Sequence, residues 1–141
     1  MVYIGTSGFK YPEWKGKFYP EKISPAAMLP FYAARFNTTE VNYTFYRMPT
    51  RTLLEKWRKD VPPEFTFSFK APRRITHDAQ LKNTKAITLD FLRICKTVES
   101  QLGATLFQLP PSLEKDLPLL EDFLEVFSGD TKVAFEFRHP S

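Results

Sequence analysis

Five short runs of strand-forming residues alternate with helical patterns along this chain, and that alternation limits its possible folds more than any other feature. The runs are 2–6, 38–42, 65–70, 104–109 and 132–138, each rich in Val, Ile, Phe or Thr and bounded by Gly, Pro or polar residues. Between the first two, Met28, Tyr32 and Phe36 recur every four residues. Ser24-Pro25 offers an N-cap followed by proline, but Pro30 would break an early turn, so that helix begins near Leu29. A capping-box pattern at Thr52-Leu53-Leu54-Glu55 predicts a second helix, stopped before Pro62-Pro63. A third places Ile87, Phe91, Ile94, Val98 and Leu102 on one stripe ending at Gly103. A fourth starts near Asp116, buries Leu117, Leu120, Leu124 and Phe127, and stops at Ser128-Gly129-Asp130.

Strict β-α alternation predicts a parallel sheet with right-handed crossovers. The apolar runs suit strands covered on both faces. An open doubly wound sheet and a barrel both satisfy this order. A dinucleotide fold needs Gly-x-Gly-x-x-Gly between its first strand and helix. Here Gly5-Thr6-Ser7-Gly8 opens a long loop reaching at least Ser24, which favours a barrel, where loops after strands build the active face. The expected fold class is therefore α/β, a parallel TIM-barrel-like array with five strands and four helices, in one domain over 1–141.

Composition narrows the class of protein. A hydrophobic fraction of 43% beside 26% charged residues is that of a globular domain, and many of the 14 Phe fall in the strand runs as core. The single Cys95 excludes an internal disulfide and reads as a buried, inert thiol among Phe91, Ile94 and Val98. No signal-peptide pattern and no apolar run near the roughly 18 residues of a membrane span are present, so a cytoplasmic location and no membrane partner are expected. The net charge of +4 permits an anionic ligand without demanding nucleic acid.

In parallel β/α proteins the functional groups follow the strands. Glu40 and Glu136 each interrupt a strand run, where a carboxylate is either functional, as general base or metal ligand, or structurally paired with Lys70, Arg47 or Arg138. Lys70 ends the third run and suits a phosphate or carboxylate, or an ion pair. Glu40, Glu136 and Lys70 are the candidate catalytic set. Ser7, Trp14, Asn42, Tyr46, Arg47, Arg73, His77, Gln108 and Arg138 are the candidate ligand-binding set. Arg47, Arg51, Lys70, Arg73 and Arg74, interleaved with Tyr11, Trp14, Tyr43 and Tyr46, fit either a phosphate, sugar or nucleotide ligand or a solvated basic face. His77 and His139 with the two glutamates offer metal-ligand types, but no His-Glu-x-x-His or paired Cys supports a metal, and no cofactor is indicated.

Several segments together resemble the YecE-like family, a family built on a domain of unknown function. They are Gly5-Thr6-Ser7-Gly8, Trp14-Lys15-Gly16-Lys17-Phe18-Tyr19-Pro20, Glu40-Val41-Asn42-Tyr43-Thr44-Phe45-Tyr46-Arg47, Phe69-Lys70-Ala71-Pro72, Ile75-Thr76-His77, Phe107-Gln108-Leu109-Pro110-Pro111 and Glu136-Phe137-Arg138-His139. The resemblance implies a TIM-barrel-like fold with a polar pocket at the strand ends, and supplies no established activity. Phe9 stands where the family usually has Trp. Family members continue for roughly three more strand–helix units, as an eight-stranded barrel requires, so the resemblance implies that residues 1–141 are the N-terminal part of a single TIM-barrel-like domain. Three readings follow: an enzyme acting on a phosphorylated or sugar-like substrate, a non-catalytic nucleic-acid or nucleotide-binding protein, and a half-barrel active only when completed. Open sheet edges predict self-association or a complementary C-terminal partner.

Overall fold

The computed structural model describes residues 2–129 and 131–141. Asp130, the last residue of the predicted stop signal, lies outside the described residues. Five parallel strands form one sheet: β1 (Gly5–Ser7), β2 (Thr38–Val41), β3 (Thr66–Lys70), β4 (Leu102–Gln108) and β5 (Val133–Glu136), hydrogen-bonded in that order. The spatial order equals the chain order, so the sheet has no switch point of the doubly wound kind. The helices are α1 (Met28–Ala33), α2 (Tyr43–Tyr46), α3 (Arg51–Lys59), α4 (Lys85–Cys95) and α5 (Leu117–Leu124).

The first strand is shorter than expected. Val2 and Ile4 are held instead by one side chain: the Asn37 amide donates to the Val2 carbonyl at 2.8 Å and accepts from Ile4 N at 2.8 Å. Gly5 is required where β1 meets β2, because a Cβ there would lie 2.0 Å from the Thr38 carbonyl oxygen.

The sheet has two unlike faces, contrary to the expectation of cover on both. Successive strand residues point to opposite sides. Val41, Phe67, Phe69 and Phe107 are fully buried against the helices, where Tyr32, Leu54, Phe91 and Val98 complete the core. The alternate residues Glu40, Thr66, Ser68, Lys70 and Leu106 are only half-buried on the open face. That face is largely polar, so water competes well for it.

Helix boundaries follow local chemistry. α1 starts at Met28, close to the Leu29 expected from Pro30. α3 begins one residue before the predicted Thr52: Thr50 is the cap, in extended conformation, its hydroxyl accepting from Leu53 N at 3.2 Å. The third predicted helix does not run to Gly103. α4 stops at Cys95, a 3₁₀ segment over Lys96–Gln101 breaks at Glu99 (φ +51°), and Leu102 is taken into β4 by pairing with Phe67. α5 is capped by Asp116 as expected, but turns a different face inward. Phe123 and Val126 are buried, whereas Leu117 and Leu124 are 52% and 43% exposed. The Phe123 ring fits against Phe107 (5.4 Å between centroids) and Phe135 (6.2 Å), which the leucines do not reach.

Candidate functional site

Polar side chains gather at the C-terminal ends of the strands in two groups. The first joins β1 and β2. Register places Ser7 opposite Glu40, and the Ser7 hydroxyl donates to Glu40 Oε1 at 3.0 Å. Asn42, one residue beyond β2, donates its amide to Ser7 Oγ at 2.5 Å. A chain of hydrogen bonds therefore runs from Asn42 through Ser7 to the Glu40 carboxylate. Among the described residues no cation lies within 4.0 Å of Glu40, so the structural ion pair foreseen for it is not made.

The second group spans β3 to β5. Gln108 and Glu136 are register partners, and the Gln108 amide donates to Glu136 Oε2 at 2.8 Å. Arg138 Nε donates to Glu136 Oε1 at 2.7 Å. These two hydrogen bonds, and then the charges of Arg138 and Lys70, hold the Glu136 carboxyl below the usual carboxylate range against the opposing effect of burial. Glu136 thus takes the paired role with Arg138.

Lys70 stands between the two glutamates. Its ammonium lies 4.6 Å from the Phe45 ring centroid, a cation–π contact. Phe45 is placed by its neighbour: buried Thr44 Oγ1 lies within hydrogen-bonding distance of the Val41 carbonyl (3.0 Å) and the Lys70 carbonyl (2.6 Å), which pins α2 onto the end of β3. His77 meets the same ring edge-on at 5.0 Å. It sits in a π-helical turn over Arg74–Asp78, a type of turn frequent at functional sites. Thr76 Oγ1 lies 2.8 Å from His77 Nδ1. Burial first, then the charges of Lys70, Arg73 and Arg138, keep the His77 imidazole less basic than usual, with Asp78 opposing. Arg73 is also paired with Asp78 at 3.1 Å. No carboxylate of the described residues lies within 4.0 Å of the Lys70 ammonium.

The remaining predicted residues are dispersed. Tyr46 is 78% exposed and meets Phe45 edge-on at 5.1 Å. Arg47 is exposed on the loop after α2. Trp14 is packed in the aromatic cluster of the β1–α1 loop, 4.6 Å from Tyr11 and 6.0 Å from Tyr19. His139 is turned to Ser141 rather than to either glutamate. Glu40 and Glu136 are three strands apart and share no hydrogen bond, and no group of three metal-ligating side chains forms among the described residues. Phe45 and Thr76 were missed as site residues. Both lie in segments that carry the family resemblance, Phe45 between Tyr43 and Tyr46 and Thr76 beside His77, but neither side chain marks itself as a ligand group.

Residues 3–141 match the model of a family described as a protein of unknown function, DUF72. The chain is 30% identical to the UPF0759 protein YecE of Escherichia coli K12 over 99% of its own length and 49% of that protein's. It is 28% identical to the UPF0759 protein YunF of Bacillus subtilis strain 168, covering 52% of that protein. The chain thus spans about half the length of these curated relatives. Its fold superposes on the crystal structure of a DUF72 family protein of Thermotoga maritima MSB8 with a TM-score of 0.81 at 33% identity, covering 96% of this chain and 55% of that one. A DUF72 family protein of Enterococcus faecalis V583 gives a TM-score of 0.76 at 21% identity, over 96% and 50% of the two chains.

Proposed function

Since the chain belongs to the DUF72 family, we propose that its strand ends form an anion-binding site for a phosphate-bearing ligand, carried on the first five strands of a parallel β/α barrel. The observation that carries the ligand reading is the state of Lys70. Its ammonium rests on an aromatic face with no carboxylate of the described residues within 4.0 Å, while Glu136 is already taken by Gln108 and Arg138. Lys70, Arg73 and Arg138 all act on His77, but Arg73 is paired with Asp78 and Arg138 with Glu136, which leaves Lys70 as the cation of this group without a carboxylate partner among the described residues. A phosphate group, with several acceptor oxygens, suits such a set of converging donors. The barrel reading rests on the sequential, all-parallel strand order and on the half-length coverage of the relatives, since eight strands require about three more units. The sheet edges also present exposed Val2, Ile4 and Phe137, surface that a complementary segment or a second copy would cover.

Titration calorimetry with pyrophosphate tests the site. Lys70→Ala should weaken binding by about 10-fold or more, the scale of one charge-assisted hydrogen bond. Equal affinity in the two proteins would end the reading. A single-stranded nucleic acid is the second reading, favoured by the exposed Tyr46 ring beside this cluster. An oligonucleotide should then bind with a steep loss of affinity as salt rises and lose most of it in Tyr46→Ala.

A further inference from the structure

Below Lys70, a row of polar groups crosses the open face, with hydrogen-bonding capacity to spare at Glu40 and Ser68. Ser7 is in register with Glu40, and Glu40 with Ser68, so the three side chains stand side by side on three adjacent strands. Lys70 lies two residues above Ser68 on the same face. From strand spacing and rise, its Cα is about 8 Å from that of Glu40. We infer that this row binds the hydroxyl-bearing part of a sugar phosphate whose phosphate is held at Lys70; the inference rests on the anion-site reading above.

Glu40 Oε1 accepts one hydrogen bond, from Ser7, and no protein donor of the described residues reaches Oε2. A carboxylate has about four acceptor positions, so most of its capacity faces the open side. Ser68 Oγ has no protein hydrogen-bond partner among the described residues. The next strand also leaves Ser68 uncovered. Gly103 stands there, and a Cβ on it would come within 2.9 Å of Ser68 Oγ and 2.8 Å of Thr66 Cγ2. Thr38 closes the floor by donating its own hydroxyl to the Thr66 carbonyl at 2.8 Å. Glu40 and Ser68 thus keep hydrogen-bonding capacity that solvent can serve in the free chain and a polar ligand can take over.

A sugar satisfies both kinds of group, because each hydroxyl is donor and acceptor. Carboxylate and serine side chains are what such a ligand needs, and the exposed Tyr3 ring lines the same cavity. The distance from Lys70 to the row lets one small ligand touch both.

The test compares inorganic phosphate with glucose 6-phosphate and ribose 5-phosphate on the 141-residue chain by calorimetry. At least one sugar phosphate should bind about 10-fold or more tighter than phosphate, the scale of one or two added hydrogen bonds. Ser68→Ala should reduce that advantage and leave phosphate binding unchanged, and Glu40→Gln should also reduce the advantage of the sugar phosphate over phosphate. Equal affinity for phosphate and both sugar phosphates would overturn the inference while leaving the anion site standing. An advantage unaffected by both substitutions would overturn it as well. Absence of binding by all three ligands would overturn the anion reading and this inference with it.

Discussion

Leu106 and Phe107 are neighbours on β4 that point to opposite faces, and they give the sharpest test of the two-faced sheet. Phe107 is fully buried, its ring 5.3 Å from Phe127, 5.4 Å from Phe123 and 5.6 Å from Phe135. Phe107→Ala removes a ring from the centre of that cluster and should cost about 3–5 kcal/mol. Leu106 is half-buried beside Lys70 on the open face. With little closely packed around it, Leu106→Ala should cost about 1 kcal/mol or less. In a domain of this size the first corresponds to a fall in Tm of roughly 10–20 °C and the second to a few degrees. Urea unfolding followed by circular dichroism reads both. If Leu106→Ala proved as damaging as Phe107→Ala, the open face would be packed in solution. The polar groups on it would then not be available to a ligand.

Gly5→Ala should destabilise the chain strongly, by about 2–4 kcal/mol, because its Cβ would press to 2.0 Å from the Thr38 carbonyl and part β1 from β2; near-native stability in the same urea assay would contradict that register. The depressed basicity of His77 fixes the sign of a pH effect. The unfolded chain takes up the proton first, so stability should fall as pH drops through about 6.5 and level off below the folded value. His77→Gln should flatten the urea midpoint over that window. Glu136 acts in a separate, more acid window, since its folded carboxyl is held lower than the unfolded one and its contribution is lost only as pH falls through that lower value. Burial pushes the Cys95 thiol upward, so it should resist thiol reagents in the native state and react only on unfolding; rapid native labelling would place it at the surface.

Much of this fold was legible because the signals were local. Each strand run holds a strand, trimmed at β2, β3 and β5 and shifted at β1 and β4, and the absence of a glycine fingerprint after β1 agreed with a sheet lacking a switch point. What was not legible depended on tertiary competition. Thr52-x-x-Glu55 is a good capping pattern, yet Thr50 caps the helix, just after Pro49. The stripe ending in Leu102 was sound as periodicity, but ladder pairing with Phe67 outweighed one more helical turn. α5 carries two apolar stripes, and only the fit of Phe123 against Phe107 decides between them. Strand-end position alone picked out Glu40, Lys70, Gln108 and Glu136 as candidates. An ion pair with Arg138 was among the alternatives read for the glutamates, but the choice of Glu136 as its partner, the isolation of Lys70 on Phe45 and the hydrogen-bond chain through Ser7 needed register and side-chain geometry, which spacing does not carry.

The most direct test of the anion site is a phosphate titration followed by amide and side-chain NMR. The account predicts saturable shifts concentrated on Lys70, Arg73, His77 and Arg138, with His77 becoming more basic as the anion binds. Shifts that fail to saturate, or that fall instead on exposed cations remote from the strand ends such as Lys59 and Lys96, would contradict it.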